Sequence, residues 1–176
     1  DGTSPESRYG VNVPHAYTIA YTCFGLSCIV SPDVPNNAGS LAPFTVRAPE
    51  GSILNAPYPA AVCSRHVIGQ MLPDTVFGCL AQAVPERIPA EGAGCLWNLT
   101  FRGETDRGSN DASIFCMPAV TTGGTGARPS KDGLSATAYP SGVRGTPVEI
   151  NESVAPIVVW RKEYRTASGG AGAQRG

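Results

Sequence analysis

The chain has 176 residues, 41% of them hydrophobic, with 13 basic and 14 acidic side chains and a net charge of −1. That length can bury a core, while scattered charges with no run of one sign leave no electrostatic footprint for nucleic acid or an anionic membrane surface. No apolar stretch reaches the ~20 residues that span a bilayer and no signal-peptide pattern heads the chain, so the expectation is a cytoplasmic protein with no membrane partner.

Residues 1–13 are polar, broken by Gly2, Pro5 and Gly10, and read as an irregular lead-in. Pro14 suits the first turn of a helix, where its missing N–H is not needed. From there Tyr17, Tyr21, Phe24 and Cys28 recur at helical spacing, which predicts a helix over about 14–30 that presents this face to the core and stops before Ser31-Pro32. Gly25 should weaken it by roughly 1 kcal/mol relative to Ala.

Residues 36–65 pack three turn signals around one alternating segment. Asn36, Asn37 and Gly39 tolerate positive φ, Pro49-Glu50-Gly51 reads as a tight turn, and Pro57 and Pro59 hold the chain extended. Between them Phe44, Val46 and Ala48 alternate with Thr45 and Arg47, the period of a half-buried strand. Residues 60–84 then show helical spacing interrupted by Pro73, which predicts a kink or two helices with Pro73 near the start of the second.

From Cys95 the chain turns to short strands joined by glycine-rich connections, with candidates at 95–102, 112–118, 134–139, 146–151 and 156–164. The layout is therefore α+β, with two amphipathic helices packing on a mixed or antiparallel sheet. A helical half over 1–94, carrying one short strand and the turn-rich block, leads into a β-rich half over 95–176, the two forming one continuous domain fragment. Asn98-Leu99-Thr100 has the form of a glycosylation acceptor, but its alternation suits a strand.

The six cysteines occur without a C-x-x-C pair and with only two histidines, so neither a disulfide framework nor a zinc site is indicated, and buried free thiols are expected. The P-loop pattern is absent. Gly124-Thr125-Gly126 would need glycine at 129 to complete a dinucleotide fingerprint and finds Pro129, so no nucleotide is expected on this chain.

The loop over 121–133, TTGGTGARPSKDG, is the strongest candidate for ligand contact. Gly123, Gly124 and Gly126 allow backbone N–H groups close to an anion, and Arg128 adds a planar donor fork. The competing reading is structural, with the glycines permitting a tight crossover and Arg128 pairing with Asp132. His66, beside Arg65, could polarise a carbonyl or shuttle a proton, although a lone helical histidine is more often a packing residue.

The order of APEGSILN and P-x-PAAV within 36–65, followed by NLTF (98–101), TGGTGARPSKDG (122–133), TPVEINE (146–152) and SGGAGAQRG (168–176), resembles the hydantoinase B/oxoprolinase family. The blocks cover nearly the whole chain, and the resemblance implies a central fragment of a larger, hydantoinase B-type polypeptide. It also implies ATP-dependent hydrolysis of a cyclic amide such as a hydantoin or 5-oxoproline, a hydantoinase A-type ATPase partner carrying ATP and Mg, and any divalent metal in an amino-terminal portion outside this chain. Under that resemblance His66 and Arg128 are the catalytic candidates, with Gly123, Gly124, Gly126 and Asp132 as ligand-binding candidates. The resemblance equally allows an ATP-dependent carboxylase acting on acetone or acetophenone, and the fragment could instead be a non-catalytic scaffold or interface module.

Overall fold

Pro14 sets the longest helix. Its extended backbone, φ −62° and ψ 145°, caps α1 (His15–Val30), and Ser31 closes the last turn by donating its N–H to the Ser27 carbonyl. The computed structural model describes residues 2–94, 96–105, 113–137 and 139–166, so Cys95 and the glycine-rich block 168–176 lie outside the described residues. The chain divides into two compact units, Asp1–Cys95 and Leu96–Gly176.

In the first unit α1 has the expected length but not the expected buried face. The buried residues are Thr18, Cys23, Gly25, Ser27 and Ile29, while Tyr17, Tyr21, Phe24 and Cys28 are only half-buried. The reason lies in the helix that crosses α1. A Cβ on Gly25 would stand 3.1 Å from the Cα of Pro73 and 3.3 Å from the Cβ of Val76, so the glycine that weakens α1 on its own is the point of closest approach to α4 (Leu72–Leu80).

Two helices replace the single periodic segment, as Pro73 foretold: a short α3 (His66–Gly69), then α4, with Pro73 in its first turn and Asp74 favourably placed there for the helix dipole. Phe77 of α4, 5% exposed, anchors this layer. Between α1 and these helices, a one-turn α2 (Ala38–Leu41) starts from Asn37, whose side chain accepts from the Gly39 and Ser40 N–H groups while Ser40 Oγ accepts from the Asn37 N–H.

The polar lead-in is not loose. Asn12 and Val13 are 0% exposed. Val13 donates to the Ile53 carbonyl (2.8 Å) and its own carbonyl accepts from Ala56 (3.2 Å), while Ile53 donates to Ser4 (2.9 Å) and Glu6 to Gly51 (2.9 Å). The Asn12 Nδ2 donates to the carbonyls of Ser7, Tyr9 and Ala61, and its Oδ1 accepts from the Ser7 N–H. Thr18 Oγ1 then ties α1 to the Leu54 carbonyl at 2.7 Å.

The strand expected over 44–48 is absent: that segment has no ladder partner among the described residues. Its neighbour is a block of turns, in which Asn55 Nδ2 donates to Ala48 O (2.9 Å), Ser52 Oγ donates to Pro49 O (2.6 Å) and Gly51 takes φ +77°. Alternation makes a strand only when a second strand lies beside it.

The second unit contains an antiparallel ribbon of β1 (Leu96–Glu104) and β2 (Ile114–Thr122), registered with Leu96 opposite Thr122 and Glu104 opposite Ile114. β2 runs through Pro118, where the expected strand stopped, because each strand of a two-stranded ribbon has an open edge on which a missing N–H is tolerated. Helices with an antiparallel pair make the protein α+β.

The expected strand over 146–151 is instead helical, α5 (Val148–Val154). Pro147 is extended at its cap and Glu149 occupies its first turn, and these start signals override the β-branched Val148 and Ile150. Residues 134–139 and 156–164 form no strand among the described residues either. In the latter, Val159 N–H donates to Glu152 Oε1 (2.7 Å) and Lys162 Nζ to the Thr146 carbonyl (2.8 Å), so side chains and a loop carbonyl take the place of a ladder.

Of the thiols expected to be buried, Cys23 is, Cys28 is half-buried, and Cys63, Cys79 and Cys116 are exposed. Burial pushes the Cys23 and Cys28 thiols above their ordinary range. No helix among the described residues is long and apolar enough to cross a membrane.

Candidate functional site

The glycine-rich loop of the second unit folds back on itself. Thr125 donates its N–H to the Leu134 carbonyl (2.9 Å), and Leu134 donates its own to Thr125 Oγ1 (3.0 Å). Further along, Arg128 N–H reaches Lys131 O at 2.8 Å and Lys131 N–H returns to Arg128 O at 3.3 Å. A Cβ on Gly124 would lie 2.6 Å from Leu134 O, and one on Gly133 would overlap Thr125 O, so both glycines let two backbone runs touch.

Arg128 completes this closure. Its Nε and Nη2 both donate to the carbonyl oxygen of Asp132, at 3.1 and 2.9 Å. The pairing with Asp132 that the sequence allowed is therefore made to the main chain. Gly123, Gly124, Gly126, Arg128 and Asp132 do come together in one bend, in which the fork of Arg128 and the amides of Thr125 and Arg128 are engaged by the bend itself.

His66, the other sequence candidate, begins α3 in the first unit and is half-buried. Its surroundings carry a feature that spacing alone did not reveal. The guanidinium of Arg65 lies over the ring of Tyr17, 5.5 Å from its centroid, and that ring stacks on Tyr21 with 4.6 Å between centroids and 16° between planes. A Cβ on Gly69 would overlap the Tyr17 ring, so the aromatic pair seats α1 directly on α3.

Burial foremost, then a hydrogen bond shared with Tyr17 and the charge of Tyr17, raises the Tyr21 phenol well above its ordinary value, against a smaller opposing pull from Arg65. The phenol is therefore neutral at physiological pH. The sequence signal for this ledge was the i, i+4 spacing of Tyr17 and Tyr21, assigned above to the core.

A separate cleft of about 270 Å³ runs beside α4, lined by Met71, Phe77 and Ile88 with Asp74 and Glu91 among its polar walls, and neither His66 nor Arg65 lines it. Among the described residues no three His, Cys, Asp or Glu side chains converge on a point that could hold a metal ion.

Comparison with known proteins places these elements in context. The hydantoinase B/oxoprolinase family matches the chain over residues 1–176. The chain is 34% identical to 5-oxoprolinase 1 of Arabidopsis thaliana over 99% of its length and 13% of that protein's. It is 32% identical to the 5-oxoprolinase of Dictyostelium discoideum, again over 99% of this chain and 13% of the relative. With a Pseudomonas sp. (strain NS671) protein named as the B component of a D-/L-hydantoinase the identity is 30%, over 99% of this chain and 30% of that protein. The chain thus spans less than a third of each of these relatives. No solved structure matches it. The blocks noted in the sequence and the match along its whole length lead to one assignment: the chain belongs to the hydantoinase B/oxoprolinase family.

Proposed function

We propose that this chain is part of a hydrolase that opens a cyclic amide ring, a hydantoin or 5-oxoproline, in an ATP-dependent reaction. The observation that carries this reading is the family match over residues 1–176, together with relatives named as 5-oxoprolinases and as the B component of a hydantoinase. A ring amide is a stable carbonyl with a poor leaving group. ATP and Mg on a hydantoinase A-type partner would supply phosphoryl activation of the amide oxygen, in keeping with the lack of a phosphate-binding glycine pattern here.

What falls to this polypeptide is proton transfer and charge stabilisation at ring opening. His66, half-buried and next in sequence to Arg65, is the proton-handling group in this reading. The bend of Gly123, Gly124, Gly126 and Asp132, locked by Arg128, is the oxyanion candidate of the second unit. Each is testable by its own variant.

The experiment is an assay of the full-length protein with its ATPase partner for ADP release coupled to ring opening of hydantoin and of 5-oxoproline. Coupled release is expected, with His66→Gln lowering kcat by about 10²-fold if it transfers the proton. Bicarbonate-dependent consumption of acetone without ring opening would overturn the reading in favour of a carboxylase, and no turnover on any of these substrates would leave a scaffold role.

A further inference from the structure

We propose that the cleft beside α4 is a binding site for a small organic cation, an ammonium ion carried on a short apolar stem, separate from the residues assigned to ring opening. One wall of the cleft is a face of α4, and the other is the run over 88–94. Neither His66 nor any residue of the glycine-rich bend lines it. Its volume of about 270 Å³ falls just under the range of drug-sized pockets, so the ligand that fits is small.

Gly78 lines this cleft, and no contact within the fold requires a glycine there. The glycines of α1 and α3 are explained by their neighbours, since a Cβ on Gly25 would crowd Pro73 and one on Gly69 would overlap the Tyr17 ring. At Gly78 an added Cβ meets no atom within 4 Å, and the residue takes no positive φ. Glycine therefore weakens α4 relative to alanine without relieving a clash. What it does is leave the α4 backbone bare toward the cleft, the close approach to an occupant for which glycine is suited.

The polar side chains of the lining accept hydrogen bonds and have none to give. Asp74 stands one turn before Gly78, on the same face of α4, and Glu91 comes from the other wall. Thr75, the one hydroxyl among the described lining residues, spends its proton on the Met71 carbonyl at 2.9 Å. None of the described lining residues is basic, and Met71, Phe77 and Ile88 supply apolar surface. Two carboxylates beside an apolar floor repel an anion such as 5-oxoproline. They fit an ammonium group, which carries three N–H donors and no acceptor, with its stem laid on the floor.

The test titrates phenethylammonium, and its neutral and anionic counterparts 2-phenylethanol and phenylacetate, into the full-length protein at physiological salt, reading isotopically labelled methionine methyl groups by NMR. Met71 lines the cleft, while Met117 lies in the ribbon of the second unit and is the internal control, each assigned by its leucine variant. Phenethylammonium is expected to move Met71 alone, with a Kd of about 1 mM. The alcohol should bind roughly tenfold more weakly, and phenylacetate should not bind. Asp74→Asn and Glu91→Gln should each raise the amine's Kd about fivefold and leave the alcohol's unchanged. Gly78→Leu, which fills the cleft from a position with room for a side chain, should abolish the Met71 response.

Equal affinity for amine and alcohol, binding that survives Gly78→Leu, or a Met117 response as large as that of Met71 overturns the proposal. So does the absence of any response, the result expected if another segment of the full-length polypeptide already fills the cleft. If Gly78→Leu does not fold, Glu91→Gln, at an exposed position, carries the measurement. The readout is binding and not turnover, so it decides the cleft whatever becomes of the ring-opening reading.

Discussion

The two units solve the problem of burying a chain in opposite ways. In Asp1–Cys95 a polar segment is sewn into the structure: Asn12, fully buried, satisfies both ends of its amide, and α1 closes on α4 through a glycine. In Leu96–Gly176 the ribbon leaves Trp97, Leu99 and Phe101 on one face of β1 at 61%, 48% and 42% exposure, and its glycine-rich loop is bonded to itself. The lesson is that hydrogen bonds from a single buried asparagine can organise more chain than a regular two-stranded ladder, because an isolated ribbon has only one neighbour per strand and gains little burial.

The largest effect should come from truncating the first unit's core. Phe77→Ala removes a side chain that is 5% exposed and should destabilise by about 3–5 kcal/mol in urea unfolding, with amide exchange in α1 and α4 rising together. An unchanged midpoint would place the core elsewhere. Asn12→Ala should come next, about 2–3 kcal/mol, since the carbonyls of Ser7, Tyr9 and Ala61 all lose their donor. Asn12→Asp keeps the acceptor for Ser7 N–H and loses the three donations, so comparing the two apportions the effect.

The pH dependence of the first unit is smaller and has a definite sign. The folded state holds the Tyr21 proton more tightly than the unfolded chain, whose value is near 10.0, so above that pH the unfolded state has shed a proton that the folded state retains. Stability contributed by Tyr21 is fully present below pH 10 and is lost as pH rises beyond it. Tyr21→Phe should flatten the alkaline fall seen in thermal melts, and an identical fall in the variant would refute the assignment.

The smallest effect belongs to the second unit. Leu99→Ala, at a half-exposed position, should cost less than about 1 kcal/mol in the same urea titration. A loss as large as that of Phe77→Ala would erase the contrast between the units.

Much of the helical architecture was legible because its signals are local. Pro14 and Ser31-Pro32 bracketed α1, and Pro73 divided the second helical segment. Strands were read less well, since Phe44 to Ala48 alternates without finding a partner, and TPVE carries helix-start signals that its β-branched residues masked. At the candidate sites, the bend from Gly123 to Asp132 could be named from its glycines, but the partner of Arg128 could not, because a backbone carbonyl leaves no mark in residue type. The Arg65–Tyr17 contact was hidden for a related reason: its members are 48 positions apart, and only the seating of α1 on α3 brings them together.

The order of blocks along the chain was enough, by itself, to point to the family, and local signals gave the α+β class, the limits of α1 and the break at Pro73, since these depend on residues close in sequence. Tertiary structure alone decided which face of α1 is buried, why Asn12 and Val13 are the innermost residues of a polar lead-in, and that Arg128 spends its fork on the Asp132 carbonyl. Those outcomes are set by where distant backbone carbonyls and glycine gaps fall in space, and linear spacing carries no record of either.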